Sequence, residues 1–235
     1  MPRDGTATKQ RILETAERLV IDNGFAATSV DEVIAASKTS KGAFFHHFDS
    51  KLDLARALVA RYAAADIEQL KRAIAEAQAT TDDPAERVIA FVRVFERAAD
   101  ELMSAQSGCL FVSLLTERQL VQSATSAHIR ETIFAWRADF TAMLHEAAHK
   151  HGRLEHINID ALADHLFVTF EGSFILCRAM NDNRHMRAQL TILRQLIEAL
   201  LAIAPDDIAD APGSAASRSR RSRRRVRSTP NSSTR

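Results

Sequence analysis

The stretch Thr28-Ser29-Val30-Asp31-Glu32-Val33-Ile34-Ala35-Ala36-Ser37-Lys38-Thr39-Ser40-Lys41-Gly42-Ala43-Phe44-Phe45-His46-His47-Phe48 decides how the chain is read. Thr28 or Ser29 can cap a short helix with Val30, Val33 and Ile34 inward, and Ser40 can cap another with Phe44 and Phe48 four apart on one face. Two short helices separated by a few residues are the geometry that presents the second to a DNA major groove while the first braces it. Many helical bundles also place short helices in series, so the spacing is suggestive and the residue types must decide.

Outward from this stretch, apolar period and breakers predict an all-α chain. Five prolines (2, 84, 205, 212 and 230) and seven glycines leave long tracts without strand-turn chemistry. Ile12, Leu13, Ala16, Leu19 and Val20 form one face of a first helix that Gly24 can close in a left-handed conformation. Ser50 suits the N-cap of a long fourth helix through Leu54, Leu58, Tyr62, Ile67, Leu70 and Ile74. Pro84 suits the first turn of a fifth, ending near Gln106 and apolar on every broad side. Further helices are predicted near 108–120, 124–151, 158–182 and 185–203.

With 46% hydrophobic content the chain can bury a core without staples, and two cysteines cannot build a disulfide framework. The opening residues lack the apolar core of a signal peptide and no run approaches the roughly 20 apolar residues of a membrane span, so a cytoplasmic protein with no membrane partner is expected. The net charge of +1 conceals a division. Residues 213–235 hold eight arginines and no acid, leaving residues 1–212 with 23 bases and 30 acids, a net of −7. The expected organisation is a DNA-binding unit over 1–50, an effector-binding and dimerisation unit over 51–204, and a disordered Arg/Ser-rich tail over 205–235. Residues 1–56 carry eight bases and eight acids, so the basic tail is a candidate for the phosphate attraction that the neutral head lacks.

Gly24, Thr28-Ser29-Val30, Ser40-Lys41-Gly42, Phe44-Phe45-His46-His47-Phe48 and Ser50-Lys51 together resemble the N-terminal signature of the TetR (tetracycline-repressor-like) family, over about residues 8–56. The resemblance implies an all-α homodimer with a three-helix helix-turn-helix head and a larger helical ligand-binding and dimerisation domain. It implies a transcriptional regulator, in most cases a repressor, that binds a palindromic duplex operator. An effector would displace the fourth helix and separate the two heads. No enzyme activity and no cofactor are expected. Three positions depart from the family pattern: Lys38 stands where a turn glycine is usual, Phe45 where a tyrosine usually reaches phosphate, and Leu52 where an acid is common.

With Phe44 and Phe48 inward, Lys41, Ala43, Phe45, His46 and His47 face outward or sideways. Phe45 can pack on a thymine methyl, and Lys41, His47 and Lys51 can meet phosphate, Lys51 beside a helix N-terminus. Thr28, Thr39 and Ser40 complete the expected DNA-contacting set. For the effector, Tyr62, Phe91, Phe95, Cys109, Phe111, Trp136, Phe140, Phe170 and Phe174 are the candidate cavity residues, with Glu117 and Arg137 as polar anchors, which suits a small apolar or electrophilic molecule. A helix start at Cys109 could depress its thiol pKa and make it a sensor, but a small buried hydrophobe lining the core is the favoured reading. The last two helices are apolar on more than one face and, through the resemblance, are expected to pair two copies.

One competing pattern is His145-Glu146-Ala147-Ala148-His149, a literal match to the zinc-peptidase motif. The spacing to His156 is one residue too long for a third ligand of that type, and Gly152 reads as a helix C-cap. No metal is expected, and a zinc hydrolase is the alternative function.

Overall fold

A computed structural model describes residues 5–117, 124–152 and 154–202, and its described residues are helices and connections without strands. In chain order the helices are α1 (Gly5–Asn23), α2 (Val30–Ala36), α3 (Lys41–His47), α4 (Lys51–Thr80), α5 (Pro84–Ala105), α6 (Leu110–Leu115), α7 (Ala124–His151), α8 (Ile159–Met180) and α9 (Arg184–Ala202). The expected tail, residues 205–235, lies outside the described residues.

Local chemistry sets most of these boundaries. Ser29 caps α2 through a reciprocal box: its Oγ accepts from Glu32 N at 3.1 Å while Glu32 Oε2 accepts from Ser29 N at 2.7 Å. Ser40 and Ser50 cap α3 and α4 by accepting from Ala43 N and Asp53 N, each at 3.1 Å. Asp83 caps α5 by accepting from Ala85 N and Glu86 N, with Pro84 in the first turn. Those backbone bonds, with Lys150 and His151 adding positive charge at 3.2 and 3.0 Å, hold the Asp83 carboxyl at about 2. Gly24 (φ +88°) follows α1 and Asn181 (φ 51°) closes α8.

The turn between α2 and α3 bends at Lys38, whose φ of 53° is the left-handed conformation normally given to glycine. A Cβ in that region costs about 1 kcal/mol. Lys38→Gly is therefore expected to raise stability by about 0.5–1 kcal/mol in chemical denaturation, once the greater freedom of glycine in the unfolded chain is subtracted. A loss of stability would mean that the lysine is held there by interactions stronger than the strain.

The three N-terminal helices share a core of Ile12, Ala16, Val20, Val33, Phe44 and Phe48. α5 runs through the middle of the remaining bundle and packs on α4, α7 and α9. Its Val88, Phe91 and Val92 are fully buried, and Phe91 stacks on Phe140 with ring centroids 5.3 Å apart. Arg194 of α9 reaches Glu96 of α5 at 2.7 Å, and Arg187 reaches Asp100 at 2.6 Å, so the α5–α9 seam is closed by ion pairs at its edge. α6 is shorter than the 108–120 span predicted, because its described helix stops at Leu115 and Thr116 closes it. No helix among the described residues is long and apolar enough to cross a membrane.

Candidate nucleic-acid interface and effector cavity

Phe44 and Phe48 are both buried and their rings lie 5.6 Å apart, which pins α3 to the head by one face. The other face is open. Lys41, Gly42 and His46 are exposed, Ala43 and His47 are half-buried, and Phe45 remains 43% exposed although it is a large apolar side chain. Nothing occupies the space that a Cβ would take at Gly42, so a nucleic-acid backbone can approach closely there. Exposed Lys9 adds a cation that sequence reasoning passed over; its Nζ sits 5.8 Å over the Phe48 ring. Loss of hydration, helped by neighbouring His46 and Lys9, lowers the pKa of His47. His47 therefore offers a neutral hydrogen-bonding ring near pH 7 in place of a charge.

Three expected contacts are placed differently. Thr28 is 2% exposed, and its hydroxyl donates to Gly24 O at 2.8 Å and to Leu19 O at 3.2 Å; it fastens the turn after α1 and does not face solvent. Lys51 is directed inward, with Nζ donating to Ala26 O at 3.3 Å and lying 4.4 Å over the Phe25 ring. Thr39 is half-buried and its hydroxyl is bonded to that of Ser37 at 3.0 Å, while Ser40 stays exposed as the cap of α3.

Beneath the head, α4, α5, α7 and α8, with Glu17 of α1 and Phe111 of α6, border a cavity of about 330 Å³. Tyr62, Phe95, Cys109, Phe111, Trp136, Phe170 and Phe174 line it as expected. Phe91 and Phe140 do not: both are fully buried and stacked on each other behind Phe95 and Trp136, so they are core and not wall. Contrary to expectation, α5 is not apolar on every broad side, since Glu86, Arg93, Arg97, Asp100 and Glu101 form an exposed face. Phe91 and Phe95 nevertheless share its buried face, so the apolar period could not separate core from cavity wall. Glu117 is also relocated, because its Oε1 accepts from Ala26 N at 3.0 Å and joins α6 to the head. Arg137 does line the cavity, with Nε 3.0 Å from Asp164 Oδ1 in an ion pair that lacks hydrogen-bond geometry.

Among the lining residues not singled out in the sequence are two buried carboxylates, Asp66 and Glu171. Trp136 Nε1 donates to Asp66 Oδ2 at 2.7 Å, yet burial still raises that carboxyl to about 6. Burial likewise raises Glu171 to about 7. A carboxylate spaced among apolar residues on a helix looks like a solvated surface residue, which is why neither stood out. Cys109 is buried as well. It is the N-cap of α6 but makes no capping bond, and burial beside Glu171 drives its thiol far above the ordinary range. Cys109 is thus the small buried cysteine that the sequence favoured, and the low-pKa alternative gives way because loss of hydration outweighs the dipole of a six-residue helix.

The His145-Glu146-Ala147-Ala148-His149 pattern assembles no metal centre, and the described residues contain no group of three or more potential ligands. Glu146 is drawn to Arg87 at 3.1 Å, and Ala147 is buried against the core while both histidines stay exposed. The hydrolase alternative has no support.

One further contact joins head and body. Arg178 of α8 donates to Ile21 O at 3.3 Å and to Asp22 O at 2.6 Å, satisfying the carbonyls that α1 leaves free at its end.

Comparison with known proteins agrees with this architecture. Residues 12–58 match the family described as bacterial regulatory proteins, tetR family, and residues 84–193 match the tetracyclin repressor-like C-terminal domain. The chain is 26% identical over 177 residues to the transcriptional regulator AcuR of Cereibacter sphaeroides, covering 73% of this chain and 77% of that protein. It is 21% identical to the HTH-type transcriptional repressor DhaR of Mycobacterium sp., covering 83% and 93%. Among solved structures, a TetR transcriptional regulator from Chloroflexus aurantiacus superposes with a TM-score of 0.69 at 24% identity, covering 83% of this chain and 96% of that one.

Proposed function

Because the chain belongs to the TetR family of DNA-binding transcriptional regulators, we propose that it is a homodimeric repressor released from a palindromic operator when a small molecule enters the cavity beneath the head. One observation carries the reading. α4 starts at Lys51, separated by two residues from the Phe48 that ends α3, and about three to four turns further on the same helix supplies Tyr62 and Asp66 to the cavity wall. A ligand that moves α4 thereby moves the groove-facing helix. The Arg178 contact offers a second route, since α8 also carries Phe170 and Phe174.

Dimerisation through α8 and α9 is supported by apolar side chains left in solvent: Val168, Ile175 and Met180 on α8, and Ile192 and Leu196 on α9, each at least 49% exposed. Scattered apolar residues are ordinary on a surface, but five on two adjacent helices form a patch of the kind that pairs copies about a two-fold axis. Such a dimer places two copies of α3 about 34–36 Å apart, the repeat of the major groove. A coupling of about 1–3 kcal/mol between effector and operator would give about 5- to 150-fold induction.

Selection of bound fragments from random duplexes by the purified full-length chain tests this directly. The expected product is a two-fold symmetric sequence with half-sites about one helical turn, or a small multiple of it, apart. A chain that is monomeric at micromolar concentration, or that enriches no sequence, overturns the proposal.

A further inference from the structure

We propose that the cavity is built for a lipophilic cation, an aromatic or alkyl-substituted ammonium whose charge is met by Asp66 and Glu171. This deepens the effector reading above and rests on it.

The charges around the cavity are unequal. Among the described residues, four carboxylates line it, from Glu17, Asp66, Asp164 and Glu171, against two guanidinium groups, from Arg61 and Arg137. Each guanidinium is already paired, Arg61 with Glu17 at 3.5 Å and Arg137 with Asp164 at 3.0 Å. Asp66 and Glu171 have no cationic partner among the described residues and are close enough that the charge of Asp66 raises the pKa of Glu171. The other titratable groups at hand, the Tyr62 phenol and the Cys109 thiol, are held neutral by burial and supply no charge.

Each ligand class meets this arrangement differently. An anion would face two carboxylates. A neutral apolar molecule would seal them from water with nothing in return, a costly burial. A cation supplies the missing charge, and the aromatic wall reinforces it: Trp136 lies 5.3 Å from Phe95 and 6.3 Å from Phe170, and Tyr62 lies 4.9 Å from Phe111, ring centre to ring centre. The faces of such rings attract ammonium groups, and most strongly where water is excluded.

The two carboxyls also fix the sign of the pH dependence. A carboxyl raised in the folded state stabilises the unliganded protein while protonated, and that stability is lost as pH rises through its folded pKa, here about 6 for Asp66 and about 7 for Glu171. A cation favours the ionised forms, so its affinity rises across the same interval.

The full-length protein carries its own reporter, because Trp136 is the only tryptophan in the chain and lines the cavity. The probes are phenyltrimethylammonium and its uncharged isostere tert-butylbenzene, titrated against Trp136 fluorescence. At about pH 8 the cation is expected to bind at least about tenfold tighter than the isostere, and to weaken at about pH 5.5 while the isostere does not. In Asp66→Asn/Glu171→Gln, where position 66 keeps an oxygen for Trp136 Nε1, the preference is expected to shrink to within about threefold. Equal or tighter binding of tert-butylbenzene at the higher pH overturns the cation assignment and leaves the aromatic effector cavity standing. Binding of neither probe overturns both. A preference that survives the double substitution removes Asp66 and Glu171 as its source, and the wild-type pH profile decides the matter even if the double variant folds poorly.

Discussion

Lys41→Ala combined with Phe45→Ala is expected to weaken operator binding at least about 100-fold while leaving the fold and the dimer in place. Lys41 is exposed on the first turn of α3, and Phe45 keeps 43% of its surface in solvent, so neither holds the head together. Removing a groove contact typically costs about 1–3 kcal/mol, and a two-headed protein loses each contact twice. The two substitutions also separate in kind. Losing one lysine per head reduces the salt dependence of binding by about two counterions, whereas losing Phe45 leaves that slope alone and relaxes sequence preference. Gel shifts across a salt series read both. Unchanged affinity of the double variant for its selected operator would mean that α3 does not face the groove.

The second large effect is on stability. Phe91→Ala should cost about 3–5 kcal/mol in urea denaturation, because Phe91 is fully buried and packs against Phe95, Phe140 and Trp136. Phe170→Ala removes an equally large ring and should cost about half as much or less, since Phe170 is half-buried and one side of it borders open volume. The contrast matters more than either number: the surroundings of Phe91 cannot collapse into the space it leaves, whereas the Phe170 ring already borders an empty one. Equal losses for the two would erase the distinction between core and cavity wall.

That distinction marks where reading the sequence stops. The caps at Ser40 and Ser50 and the first-turn place of Pro84 were legible because each depends on residues within one turn, whereas the bend at Lys38 was marked only by the family resemblance, which puts a glycine there. The inward pair Phe44 and Phe48 followed from helical spacing alone. Thr28 was misassigned because it and Ser29 are equally good caps on paper; once Ser29 takes the cap, Thr28 turns inward to Gly24 and Leu19. Lys51 and Glu117 both end on Ala26, the latter across 91 residues of chain, and no periodicity encodes such a meeting. Phe91 and Phe95 lie four apart on the same buried face of α5, so only the neighbouring helices decide which ring borders the void. Asp66 and Glu171 were hidden for the opposite reason, being charged residues that pattern reading sends to the surface.

Helix α8 turns Phe170, Glu171 and Phe174 toward the cavity, Arg178 toward the end of α1, and Val168, Ile175 and Met180 toward solvent. A single rod thus borders three neighbours and, being a continuous helix of 22 residues, has no joint at which to treat them separately. Rotating it a few degrees to suit one neighbour misaligns the other two. Efforts to retune this protein for a new inducer would therefore do best to spare α8 and work on Phe95, Phe111 or Trp136, whose alteration leaves that axle in its bearings.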